Sequence, residues 1–429
     1  MLERMRIPAS RWWVVSSVLA ALLVGVVVAW RAYETVPTVR FHLQESWTRL
    51  YRRYVPRSEL APTPVQAASA PQLVTYTPRP RLTLTVVLSP VVSPTLPPPT
   101  PTMTPVPARV VLEGFRHEYQ KYNNCGPAAL AINLSYWGWG GSQKDTAAVL
   151  KPNPDDKNVS PRELYEYLLS INFDAYIRYN GDIETLKRFV AAGYPVLIEK
   201  GFTCVAGERC SGWFGHYSVV SGYDEARQEV YLQDSYRGPN ITMSYAELLT
   251  NWRAFNYLYL VVFPASAERD AEVVHLLGAA SDLTQNYSAA LARAQAEALT
   301  LGGQEAAFAW FNVGTNLAYL QDYAGAAAAY DQARQIGLPY RMLWYQFGPY
   351  RAYYYMARYD EVVALATDAI NGVAPGVVAG LEEAYYWRGQ AEEMLGQREA
   401  AIADYRTALQ RHPGYAPAEA ALQALGVTE

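Results

Sequence analysis

The chain has 429 residues, 51% of them hydrophobic, and a formal net charge of -4. That length admits two or three domains with sizeable cores, and the balanced charge, with no basic tract beyond the flanks of one apolar run, excludes nucleic acid as a partner. Three cysteines and five histidines, without Cys-x-x-Cys or His-x-x-x-His spacing, form no metal-ligand motif, and no organic cofactor is implied.

The first element predicted along the chain is a transmembrane helix over 12–30. Trp12 to Trp30 carries no charged residue, is dominated by Val, Leu and Ala, and is long enough to cross a hydrocarbon core. Trp12, Trp13 and Trp30 sit at its ends, as interfacial aromatics do. Arg4, Arg6 and Arg11 precede it, so the positive-inside rule makes 1–11 a cytoplasmic tail and puts the remainder outside the cytoplasm. Arg31-Ala-Tyr-Glu is a poor cleavage site, which argues for a retained anchor rather than a removed signal peptide. Residues 31–108 then read as an extracytoplasmic linker. It has a short helix around Leu43 to Tyr54 and prolines recurring from Pro56 to Pro107, which give an extended, semi-rigid spacer.

Residues 109–264 read as an α+β domain. Asn123-Asn-Cys-Gly-Pro-Ala-Ala-Leu130 opens a small-residue helix running to about Tyr136. Ser160-Pro161 is a helix start, with Ser as N-cap and Pro at the first position. Asp182 to Ala192 is predicted helical and is ended by Gly193. Tyr194-Pro-Val-Leu-Ile follows as a strand. His216-Tyr-Ser-Val-Val-Ser, the turn Gly222-Tyr-Asp, and Glu229-Val-Tyr-Leu-Gln-Asp234 are predicted to form a hairpin, and Leu258 to Phe263 a closing strand.

The chemistry in this region centres on Cys125. A thiol becomes nucleophilic at neutral pH when a helix N-terminus or an imidazolium lowers its pKa, and Cys125 stands where a helix starts. His216 and Asp234 lie on the two strands of one hairpin, close enough for Asp234 to orient the imidazole. Gln120, just upstream of Cys125, offers an amide donor for a developing oxyanion. His117 reads as an exposed loop residue. Cys204 and Cys210 share a Gly-containing loop before His216 and, in an exported protein, are expected to form a disulfide.

Gln120-Lys-Tyr-Asn-Asn-Cys125-Gly-Pro-Ala-Ala-Leu, Gly193-Tyr-Pro-Val-Leu-Ile, Gly215-His216-Tyr-Ser-Val-Val-Ser-Gly-Tyr-Asp and Leu232-Gln-Asp234, in that order, resemble the papain-like cysteine peptidases related to bacteriocin leader-processing (double-glycine) enzymes. The resemblance implies a papain-like α+β fold and a triad of Cys125, His216 and Asp234, with Gln120 completing the oxyanion hole. No ATP-binding transporter domain follows, and the inferred topology puts the site outside the cytoplasm, so the transporter-linked substrates do not carry over.

From about residue 268 the composition turns to alanine, tyrosine and charge at helical spacing. Tyr287, Tyr323 and Tyr359 recur at an interval of about 36 residues. Trp310, Gly314, Ala326, Tyr330 and Ala333, and again Tyr385, Gly389, Ala401, Tyr405, Ala408 and Pro413, resemble the tetratricopeptide pattern. Residues 268–426 are therefore expected to form an all-α solenoid of four helical hairpins whose concave face holds a peptide or protein partner. The tyrosine-rich stretch 349–355 is a candidate groove lining. The function expected is cleavage of a peptide or protein substrate by a membrane-anchored cysteine peptidase. The alternatives are an inactive papain-like binding scaffold and a thiol amidase or transferase acting on a non-protein amide such as cell-wall peptide.

Overall fold

The computed structural model describes residues 43, 46, 47, 50, 60–64, 106–153, 155–204, 212–372 and 380–427. The predicted transmembrane span lies outside these, and among the described residues no helix is long and apolar enough to cross a membrane. Of the predicted short linker helix, Leu43, Ser46, Trp47 and Leu50 are helical and exposed.

A seven-stranded antiparallel sheet organises the first domain. Its strands are β1 (Arg109–Val111), β2 (Phe173–Arg178), β3 (Val196–Thr203), β4 (Trp213–Asp224), β5 (Glu229–Asp234), β6 (Gly238–Ser244) and β7 (Tyr259–Pro264). The order is β2-β7-β3-β4-β5-β6, with β1 also on β4. Alternation along the strands serves two cores. Leu197, Tyr217, Val219, Leu260 and Val262 face one; Val196, Ile198, Val220, Val261 and Phe263 face the other. The first core takes in α1 (Cys125–Tyr136) and α3 (Pro161–Ser170). Between them runs α2 (Gln143–Leu150), and α4 (Ile183–Ala191) and α5 (Tyr245–Arg253) pack into the second core.

The helix starts follow their caps. Ser160 and Glu163 form a reciprocal capping box with Pro161 in the first turn, and the Asp182 carboxylate accepts from Thr185 N–H. Gly193 ends α4 with a φ of +86°. The predicted turn Gly222-Tyr-Asp is instead the end of β4, and the chain reverses after Asp224. The reason is β1, which crosses there: a Cβ on Gly222 would lie 2.7 Å from the Val110 carbonyl oxygen. Gly222→Ala is therefore expected to destabilise the protein by about 1–3 kcal/mol, seen as a lowered Tm.

Beyond the sheet come α6 (Ala267–Leu277), α7 (Leu283–Thr300), α8 (Gly303–Tyr319), α9 (Tyr323–Ile336), α10 (Gly348–Tyr355), α11 (Tyr359–Ile370), α12 (Glu382–Met394), α13 (Arg398–Arg411) and α14 (Ala416–Ala424). The repeat glycines serve close approach: a Cβ on Gly314 would lie 2.8 Å from the Tyr330 ring, and one on Gly389 2.7 Å from Tyr405. The four expected hairpins are not all present among the described residues. α6 sends Val273 and Leu277 into the second core under the sheet, so it belongs with the first domain. The pairs α8–α9, α10–α11 and α12–α13 follow, with α7 before them and α14 after. Tyr350 and Tyr353, expected in a groove, are fully buried; Tyr353 Oη donates to Asp331 at 2.8 Å and accepts from Arg334 at 3.0 Å. Three apart on one helix, they share its inward face and are packing residues, while Tyr355 remains exposed.

The first core continues without a break into the repeats, from Leu130 and Tyr217 through Phe308, Tyr330 and Leu365. Part of the linker joins them too. Ala61 N–H donates to Leu338 O at 2.8 Å, and Arg334 Nε donates to Pro62 O at 2.8 Å. Leu60, Ala61 and Pro62 thus dock on the repeats, while 65–105 of the predicted spacer lies outside the described residues.

Candidate active site

Cys125 is the first residue of α1, half-buried and a free thiol. Asn123, two residues earlier, takes a left-handed φ of +49°, a conformation Asn tolerates. Asn124 makes no side-chain cap, so its side chain takes none of the first-turn N–H groups of α1. Gln143 pins the segment that leads to Cys125. Its Oε1 accepts from Lys121 N at 2.7 Å and Asn124 Nδ2 at 3.1 Å, and its Nε2 donates to Tyr119 O at 2.8 Å.

His216 lies near the start of β4 and Asp234 at the end of β5, and antiparallel register brings them together. His216 Nε2 is 2.9 Å from Asp234 Oδ1. The imidazole also stands within hydrogen-bonding reach of the Cys125 thiol. Asp234 is fully buried and over-determined. Its Oδ1 also accepts from Tyr236 N at 2.9 Å and Arg237 N at 3.0 Å, its Oδ2 from Ser218 Oγ at 2.9 Å, and Lys200 Nζ stands 3.6 Å away. Lys200 is 1% exposed and pairs across the sheet with His216. Lys200, His216 and Ser218 therefore share one face.

The electrostatics follow from this geometry. Burial pushes the Cys125 thiol up. The hydrogen bond and charge of His216, the Tyr217 backbone N–H and the Lys151 ammonium together outweigh that, so the thiol lies below its ordinary value. Burial pulls His216 down, but the Asp234 carboxylate and the bond to Cys125 reverse the balance and raise it. For Asp234 burial works upward, and the charges of His216 and Lys200 with the Arg237 N–H hold it far below the usual carboxylate range. Cysteine lowered and histidine raised is the pattern of a thiolate–imidazolium pair.

Gln120 sits beside the end of β5. Its N–H donates to Ser235 O at 2.8 Å and its Oε1 accepts from Ser235 Oγ at 2.9 Å. The carbonyl end is thus occupied and the NH2 is left as donor. Cys204 is disulfide-bonded, while its expected partner, Cys210, lies outside the described residues. His117 is half-buried rather than exposed, edge-on to Tyr119. Sequence reasoning missed Lys200, Ser218, Gln143 and Glu199. Glu199 is buried, and burial above all, with the nearby Cys125, pushes its carboxyl well above the ordinary range. It also lines a cavity of about 980 Å³ between the sheet domain and the repeats, walled by Tyr176, Tyr179, Tyr319 and Tyr345.

The stretch that holds Cys125, His216 and Asp234 lies within a match to a known family. Residues 112–260 match the Peptidase_C39 like family. Residues 382–415 match the Tetratricopeptide repeat. The C39-like domain is similar to two solved structures. One is named as a C39-like peptidase from Bacillus anthracis, at 18% identity over 37% of this chain and 98% of that one, with a TM-score of 0.30. The other is a double glycine motif protease from an AMS/PCAT transporter in complex with the leader peptide, at 19% identity over 37% of this chain and 99% of that one, with a TM-score of 0.27. No curated protein matches the chain.

Proposed function

We propose that the protein is a membrane-anchored extracytoplasmic cysteine peptidase that cleaves a peptide or protein substrate, with the repeats recruiting that substrate or a partner. The observation that carries the reading is the Cys125–His216–Asp234 arrangement: a thiol within reach of an imidazole that lies 2.9 Å from a buried carboxylate. In the reaction, Cys125 Sγ attacks the scissile carbonyl, and His216 protonates the leaving amine and then activates water to release the acyl group. The Gln120 amide and the N–H groups at the start of α1 donate to the oxyanion. The tyrosine-walled cavity, with a carboxyl at Glu199, suits an extended peptide. The anchor is residues 12–30, and a disulfide at Cys204 supports an oxidising compartment.

The test is incubation of the detergent-solubilised full chain with a diverse peptide library, reading new termini by mass spectrometry beside Cys125→Ala. New termini made by the wild type and absent with Cys125→Ala are expected. Identical spectra would move the protein to the binding-scaffold reading, and cleavage of cell-wall peptide alone would move it to the amidase reading.

A further inference from the structure

On the far side of the C39-like domain, where the last repeats dock, buried acids converge on one histidine. Asp156 lies in the loop between α2 and α3, Glu163 in the first turn of α3, Glu382 at the start of α12, and His412 at the C-cap of α13. His412 Nδ1 is 3.0 Å from Glu382 Oε1, 3.8 Å from Asp156 Oδ2 and 3.9 Å from Glu163 Oε1. The donor atoms of Asp156, Glu382 and His412 all lie within 4.8 Å of one another. The Asp156 and Glu382 side chains are each 1% exposed. Among the described residues, Asp156 Oδ2, Glu382 Oε2 and the neighbouring Glu383 Oε2 have no hydrogen-bond partner. Oδ2, one of these orphaned atoms, is the oxygen directed at His412.

Four carboxyls in a buried space, faced by the Lys151 ammonium and one imidazole, need a compensating positive charge or bound protons. We infer that Asp156, Glu382 and His412 bind a divalent transition-metal ion, of which Zn2+ is the natural probe. Two ligands about 2.1 Å from a tetrahedral zinc lie about 3.4 Å apart. The observed separations of 3.0 and 3.8 Å bracket that value. One imidazole with carboxylates suits zinc over the all-oxygen shells of Mg2+ and Ca2+. Glu163 Oε1 or water would take the fourth position.

The site joins the two halves of the protein. Lys157 N–H donates to Gly380 O at 2.9 Å, and Gly380 has to be glycine, because a Cβ there would lie 2.3 Å from the Asp155 carbonyl oxygen. From the same loop, Asn123 Nδ2 donates to Asp156 O, and Lys151 Nζ donates to Asn123 O. A bound ion would therefore clamp the pair α12–α13 to the segment that ends at Cys125.

The experiment uses untagged, chelator-treated full chain carrying Cys125→Ser, so that the active-site thiol cannot take the ion. Zn2+ is added, excess is removed by dialysis, and bound metal is counted by mass spectrometry, with Glu382→Gln and His412→Ala alongside. One Zn2+ per chain, lost from both variants, is expected. No bound Zn2+, or equal Zn2+ in all three proteins, would overturn the proposal. Because a variant could unfold, the Cys125→Ser protein alone is also melted with and without the ion. A Tm raised by several degrees with Zn2+ but not with Mg2+ is expected, and an unchanged Tm would overturn the clamp.

Discussion

Substituting His216 by alanine is expected to lower kcat/KM on any cleaved peptide by at least about 10³-fold, roughly 4 kcal/mol of transition-state stabilisation. The substitution removes the proposed proton carrier and its charge, and burial then pushes the Cys125 thiol upward against only the Tyr217 N–H and the Lys151 ammonium. The effect on stability should be small, about 1–2 kcal/mol, because Asp234 keeps Lys200, Ser218 and two backbone N–H groups. The wild-type rate should rise with pH as Cys125 ionises below its ordinary value. It should fall again as the imidazolium deprotonates above the ordinary histidine value. The variant should lose that bell and rise only into alkaline pH. A pH–rate profile of the two proteins checks this.

Asp234→Ala is expected to unfold the site as well as disable it. It leaves the Lys200 ammonium buried without its carboxylate, and it strips the acceptor from Ser218 Oγ, Tyr236 N and Arg237 N. Removing one partner of a buried pair costs about 3–5 kcal/mol, a loss that urea denaturation would read directly. The pH dependence has a definite sign. Asp234 has a folded-state pKa far below its unfolded value. Its contribution is therefore fully present above the ordinary carboxylate range, near pH 4, and is lost as pH falls toward the depressed value. His216 works the other way. Its raised folded-state pKa contributes stability below about pH 6.5, and that is lost as pH rises through the folded value. Asp234→Ala should flatten both slopes, whereas Asp234→Asn should keep more of the stability while losing the charge that orients and raises His216.

Legibility in the sequence tracked how local each signal was. The start of α1 at Cys125, the Ser160 cap, the end of α4 at Gly193 and the β4–β5 hairpin carrying His216 and Asp234 were readable because caps, breakers and short alternating runs act over a few residues. Lys200 was not, since its place beside Asp234 follows from the register Lys200–His216 between β3 and β4, which no local pattern sets. Gln143 and Glu199 were missed for the same reason. Gly222 read as a turn because a glycine required by a crossing strand looks like one required by a reversal. The helix α6 shares its alanine-and-charge composition with the repeats, yet Val273 and Leu277 commit it to the sheet domain. The cluster around His412 escaped a search for metal motifs, because its carboxylates come from Asp156 and Glu382, far apart in the chain. The tyrosines of 349–355 were misread in part, since ring burial depends on which helix faces them.

The most direct test of the thiolate–imidazolium pair is the rate of Cys125 alkylation by iodoacetamide as a function of pH, in the full chain and in His216→Ala. Cys204 is held in a disulfide and Cys125 is free, so the label reads the nucleophile. Fast labelling already near pH 6 that collapses in the variant is the expected result. Slow labelling that rises only near the free-thiol value of about 8.5, and is unchanged in the variant, would mean that Cys125 and His216 do not form a catalytic pair.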